Sequence, residues 1–271
     1  MEAVRFEDGL FGLMPMVEML LGDFAIIDLW SAVFWAAVGK IVLSNIVLSG
    51  DNAVVIALAA RNLSDRTRRR AIFFGSLGAV LLRVVFCAVI GLLLGVPYLK
   101  LAGGALLLWI GIKLVIEDKD SAEVRAHATL WAAISTIVIA DAVMSLDNAI
   151  AIAAAAHGNF ALITIGLLLS VPVIMLGAGL ISHLLDRYSW IGLAGAALIG
   201  WIAGEVIAGD GRFEKADASG NMVQFVRPGS IASFLDGALP HAERSLGAFG
   251  AGLVVVIGLY LIARRERSDR A

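Results

Sequence analysis

Cysteine is almost missing from this chain. The single Cys87 excludes an intramolecular disulfide and leaves no thiol pair from which to read a redox compartment. Charge is scarce too: 16% of residues are charged against 60% hydrophobic, far outside the range of soluble domains. A net charge of -2 supplies no basic field and gives no reason to expect a nucleic-acid partner. The opening MEAVRFEDGLFGLMPMVEMLLGDF lacks the basic start and clean apolar stretch of a secretory signal, being interrupted by Pro15, Glu18 and Asp23. Residues 1–28 are expected to be an extracytoplasmic segment with a short interfacial helix. A phosphate-cradling loop is also lacking. GKIV at 39–42 has neither the upstream glycine nor the Ser/Thr, which argues against ATP hydrolysis by this chain.

What the chain has in plenty is apolar length. A helix crossing the hydrocarbon core needs about 20 mostly apolar residues. Seven such runs are found, at roughly 29–60, 71–96, 98–116, 128–156, 160–185, 189–208 and 247–263. They are too long and too unalternating for barrel strands, so the expected fold is an all-α polytopic membrane protein. The loop after the first run carries Arg61, Arg66, Arg68, Arg69 and Arg70, which the positive-inside rule puts in the cytoplasm. Alternation then places Arg187, the linker 117–127 and the RRERSDR tail inside. The acidic N-terminus and the 209–246 segment fall outside. That segment reads as an irregular loop with a short helix near 230–237.

The chain is also internally duplicated. Residues 45–61 (NIVLSGDNAVVIALAAR) align without a gap on 141–157 (DAVMSLDNAIAIAAAAH), and LAGGALLLWIGIK at 101–113 matches LAGAALIGWIAGE at 193–205. Two three-span units follow, 29–116 and 128–208, with the seventh span (247–271 with its tail) outside the repeat. An odd number of spans per unit forces the copies to face opposite ways. Inverted repeats of this kind place transport sites near the midplane, where the copies meet.

Each repeat carries Asp-Asn inside hydrocarbon, preceded by a further polar residue: Asn45, Asp51 and Asn52 in the first, Asp141, Asp147 and Asn148 in the second. A charged Asp at a helix centre costs roughly 2.5–3.5 kcal/mol on insertion scales, so three of them demand a reason. Capping of helix breaks, or pairing with Lys40 or Arg83, is the bland reason. Ser49-Gly50 is a natural break in a 32-residue run that would measure about 48 Å as a straight helix, with Ser49 as the expected cap of the new start. Ser145 to Asn148 repeats the spacing. The functional reason is a cation site of three carboxylates and two or three amides. Hard oxygens without Cys or His suit Mn²⁺, Mg²⁺ or Ca²⁺. Met144 is the one soft atom nearby, and packing is the usual role of Met. Arg83, in mid-span, needs a carboxylate partner, with Asp51 or Asp147 the natural choice. Lys40 is a further counter-ion candidate, or simply snorkels. Lys113, Glu205, His157 and His183 read as interfacial, at span ends.

In its two Asp-Asn motifs the chain resembles the TerC family of integral membrane proteins, most of all a YjbE-type branch regarded as metal transporters. The likeness covers about residues 28–208. It implies Mn²⁺ export across the bacterial inner membrane, historical links to tellurite resistance, and an architecture shared with lysine exporters. The family's acidic and amide positions carry over to Asn45, Asp51, Asn52, Asp141, Asp147 and Asn148. The expectation is therefore a non-enzymatic secondary exporter of Mn²⁺, without a resident cofactor. Proton exchange or the membrane potential would drive it, with Asp141 a candidate proton carrier. Three alternatives remain at this stage: export of amino acids or another small solute, a non-transporting subunit of a membrane complex, and an intramembrane aspartyl protease. The protease lacks its Gly-x-Gly-Asp context here.

Overall fold

Backbone polar groups find no water inside a bilayer, so apolar runs of this length satisfy themselves as helices. The computed structural model describes Gly22 and residues 31–93, 96–117, 129–156, 159–188, 190–216, 222–238 and 241–268. The interfacial helix expected within 1–28, almost all of the 117–127 linker, and His157 lie outside the described residues.

The first run forms two helices, α1 (Ala32–Leu48) and α2 (Asn52–Ala60), bent by 60° at the residues between them. Next come α3 (Asp65–Leu93), α4 (Leu99–Glu117), α5 (Leu130–Ala155), α6 (Phe160–Arg187) and α7 (Trp190–Ala208). The segment after α7 holds β1 (Arg212–Ala216), β2 (Met222–Val226) and α8 (Ile231–Ala238), followed by α9 (Ala242–Ser268). Among the described residues, α3, α4, α6, α7 and α9 are each long and apolar enough to cross a membrane, and the bent pair α1 and α2 is long and apolar enough only when taken together. Helix α5, with 26 residues, is about 39 Å long. Trp35, Val47, Trp131, Leu176, Trp190 and Val256 are more than half exposed. Apolar surface on that scale belongs against lipid. The protein is an all-α polytopic membrane protein.

One element differs from expectation. The 209–246 segment is not irregular throughout: β1 and β2 pair antiparallel in the register Arg212↔Val226 to Ala216↔Met222, and α8 falls where the short helix was expected.

Contacts at the helix ends define two sides. At one, Arg61 at the end of α2 donates to Leu114 O near the end of α4 at 2.8 Å, and Arg68 at the start of α3 pairs with Asp186 at the end of α6 at 2.6 Å. At the other, buried Asp210, just past α7, accepts from the Lys100 and Leu101 amides at the start of α4, at 3.2 and 3.4 Å. Arg212 there bonds Glu243 at the start of α9. The arginine loop and the hairpin therefore sit at opposite ends of the bundle.

The main helix pairs are α3 with α5, α1 and α2 with α6, α4 with α7, α3 with α6, and α9 with α7 and α4. Exchanging the two halves of the chain turns the first pair into the second and leaves the third unchanged. Between α7 and α9 the approach is backbone to backbone. A Cβ at Gly204 would collide with Leu246 O, and one at Gly250 with Gly200 O. Small residues at such a seam let helices close without side chains between them.

Candidate cation site at the helix break

The break between α1 and α2 has local causes. Gly50 weakens the helix, and the Asp51 carboxylate takes the Asn52 amide at 2.9 Å, capping the new start. The cap is thus Asp51, not Ser49. The Ser49 hydroxyl instead donates back to Asn45 Oδ1 at 3.1 Å. A carbonyl freed by the break, Leu48 O, receives the Asn148 side-chain amide from α5 at 3.3 Å. The second motif does not repeat the break: α5 is continuous through Ser145 to Asn148. Leu146, a good helix former, stands there where the first repeat has Gly50.

Arg83 of α3 reaches this point with 1% of its side chain exposed. Its Nη1 donates to Asn45 Oδ1 at 2.5 Å and to Ser49 Oγ at 2.6 Å. Nη2 donates to Asp141 Oδ1 at 2.6 Å, and Nε to Ser145 Oγ at 2.8 Å. These acceptors come in pairs. Asn45 aligns with Asp141 and Ser49 with Ser145 in the duplicated sequence, so one guanidinium joins two equivalent positions from each repeat. The carboxylate partner is Asp141. Of the expected partners, Asp51 is half-buried at its cap, and the Asp147 side chain lies outside the described residues.

Around this centre the remaining polar groups are closely matched. Asn52, 2% exposed, donates from Nδ2 to Asp141 Oδ1 at 2.5 Å, while its own Oδ1 is buried without a hydrogen-bond partner. Ser145 Oγ donates to Asp141 Oδ2 at 3.0 Å. Asn45 Nδ2 donates to Ser170 Oγ of α6 at 2.5 Å, and Ser170 in turn donates to Leu167 O at 2.6 Å. Ser170 was missed in the sequence. Its one signal is position, two residues before Pro172 inside an apolar helix.

Of the positions singled out from sequence, Asn45, Asn52, Asp141 and Arg83 meet directly. Asp51 and Asn148 border the group through the helix break. Lys40 does not belong to it: its side chain is exposed on α1. His183 is exposed too, one turn before the end of α6. Among the described residues no group of three His, Cys, Asp or Glu side chains comes together. The oxygens of the cluster are instead one carboxylate, two amides and three hydroxyls. All are hard donors of the kind that Mn²⁺, Mg²⁺ and Ca²⁺ accept. The unpartnered Asn52 Oδ1 is an acceptor that a cation would satisfy.

The family described as integral membrane protein TerC family matches residues 30–267. The chain is 42% identical over 191 residues to the uncharacterized membrane protein YjbE of Bacillus subtilis (strain 168), covering 70% of this chain and 88% of that one. To YceF of the same organism, also an uncharacterized membrane protein, identity is 28% over 181 residues, or 63% and 70% of the two chains. The UPF0053 inner membrane protein YoaE of Escherichia coli (strain K12) is 30% identical over 136 residues, 43% of this chain and 26% of that one. No solved structure gives a significant match.

Proposed function

The chain belongs to the TerC family of integral membrane proteins, and on that premise we propose that it is a secondary transporter exporting hard divalent cations, Mn²⁺ first among them. The observation that carries this reading is the convergence of duplicated positions. Asn45 and Ser49 from one repeat, and Asp141 and Ser145 from the other, gather their oxygens at one buried point inside the bundle. Buried polar groups cost several kcal/mol each in hydrocarbon and are kept where they handle an ion. The packing pairs, unchanged when the halves are exchanged, support two inverted three-helix repeats with α9 added. The arginine-rich end is then the cytoplasmic face of the bacterial inner membrane, with the hairpin outside. Asp141, Asn52 and Asn45 supply the cargo's central oxygens in this scheme, with Asp51 and Asp147 adding charge from either repeat.

Asp141 is held by a guanidinium, an arrangement unlike the proton-sharing pair of an aspartyl protease. Export of an amino acid remains the competing transport reading, since a buried guanidinium also attracts a carboxylate. The test is accumulation. In a bacterial strain without its own manganese exporters, expression of this chain should lower cell manganese after a metal shock, and Asp141→Asn should abolish the effect. Unchanged manganese with the wild-type protein, together with relief of lysine or arginine toxicity, would replace the metal by an amino acid.

A further inference from the structure

Resting on the cation-transport reading, we propose that Arg83 is a tethered competitor of the cargo: guanidinium and metal ion exchange on the same oxygens, and the arginine covers Asp141 whenever the cargo has left.

The hydrogen-bond count sets guanidinium and metal in competition for two shared oxygens. Asn45 Oδ1 already accepts from Arg83 Nη1 and Ser49 Oγ, and Asp141 Oδ1 from Arg83 Nη2 and Asn52 Nδ2. A carbonyl or carboxylate oxygen offers about two lone pairs. Neither atom has one left for a metal while the guanidinium is bound. Two positive charges on shared ligands in a low-dielectric interior also repel strongly. The exchange has a place to begin, because Asn52 Oδ1 is buried without a partner on the same amide that bonds Asp141. An entering cation meets that oxygen first and gains the others as Arg83 withdraws.

Arginine fits the task where lysine or histidine would not. It stays protonated in proteins, so it cannot leave its acceptors by losing a proton and must move as a charge. Its planar fork spans Asn45 on one repeat and Asp141 on the other from Nη1 and Nη2, which a point-like ammonium cannot do. The tether also answers a problem of the return step. A carrier with bare Asp141 in its interior would resist moving without cargo. With Arg83 back in place, the pair is neutral.

The experiment uses the full chain purified in detergent, with Mn²⁺ alone as the probe. Affinity is read by calorimetry and the thermal midpoint by unfolding with and without Mn²⁺, for wild type, Arg83→Gln and Arg83→Lys. Removal of the competitor should tighten Mn²⁺ binding by Arg83→Gln about tenfold or more, and Mn²⁺ should raise its midpoint by more than it raises that of wild type. Arg83→Lys should lie between the two, and it decides the matter if Arg83→Gln does not fold. In liposomes, the same variants should lose net efflux yet keep exchange of labelled for unlabelled Mn²⁺. An arginine with only a structural role predicts loss of stability that Mn²⁺ does not restore. Wild-type or weaker affinity in a folded Arg83 variant overturns the proposal alone. Absence of Mn²⁺ binding in every protein, wild type included, overturns the transport reading and this proposal with it.

Discussion

Asn45 and Asp141 occupy equivalent positions in the two halves of the chain and are bridged by one side chain, Arg83, at 2.5 Å to the amide oxygen and 2.6 Å to the carboxylate. The duplicated motif has diverged at this position, neutral in one copy and charged in the other. A single guanidinium therefore finds one carboxylate and is balanced by it. Two carboxylates here would leave the described centre negative, and two amides would leave Arg83 uncompensated in the interior.

That balance predicts the behaviour of the Arg83–Asp141 pair. Asp141→Asn strands a buried guanidinium and should cost about 3–5 kcal/mol of stability, with export abolished. The double variant Arg83→Gln with Asp141→Asn should recover much of the stability and none of the transport. Unfolding in detergent and cell manganese after a shock measure the two separately. Full stability in Asp141→Asn alone would refute the pairing.

Asp51 separates a cap from a cation ligand. Its carboxylate accepts from the Asn52 amide, and Asn caps a helix about as well as Asp. Asp51→Asn should therefore leave stability within about 0.5 kcal/mol of wild type, while export is lost because the charge offsetting cation dehydration is gone. Normal manganese export by this variant would reduce Asp51 to its cap.

The α7–α9 seam should be intolerant of side chains. Gly204→Ala places a methyl against Leu246 O and should destabilise by about 1–3 kcal/mol through overpacking. On the same pair of helices, Gly252 has open space at its Cβ position. Gly252→Ala should be close to neutral or slightly favourable. Equal midpoints for the two variants would contradict the close approach.

Topology is testable with impermeant thiol labelling in a Cys87→Ser background, since Cys87 is buried. A cysteine at Lys215, in the hairpin, should label from outside intact cells, and one at Ser268 should label only after lysis. Protection at position 215 would reverse the orientation and with it the assignment of the arginine-rich end to the cytoplasm.

Ser170 bears on what could be read without coordinates. Its hydroxyl meets the Asn45 amide across 125 residues of sequence, and apart from the nearby Pro172 nothing local distinguishes it from Ser76 or Ser182, which are also buried. The hairpin was hidden for a similar reason. Its five-residue strands carry little signal until they pair, and pairing is a non-local event.

The sequence by itself determined the helical membrane class, the internal similarity of the two motifs and the break before Asp51. Each of these depends on local quantities: apolar length against bilayer thickness, similarity along the chain, and the helix preferences of Gly50 and Asp51. The tertiary structure alone decided which carboxylate Arg83 would take. Asp51, Asp141 and Asp147 are alike in one dimension, since all are acids within apolar runs. Between Asp51 and Asp141 the choice fell to Asp141, because α3 packs along α5 while Asp51 spends its carboxylate on its own helix start. Charge pairing in a low-dielectric interior is settled over a few ångströms, and distances of that kind exist only once the helices have met.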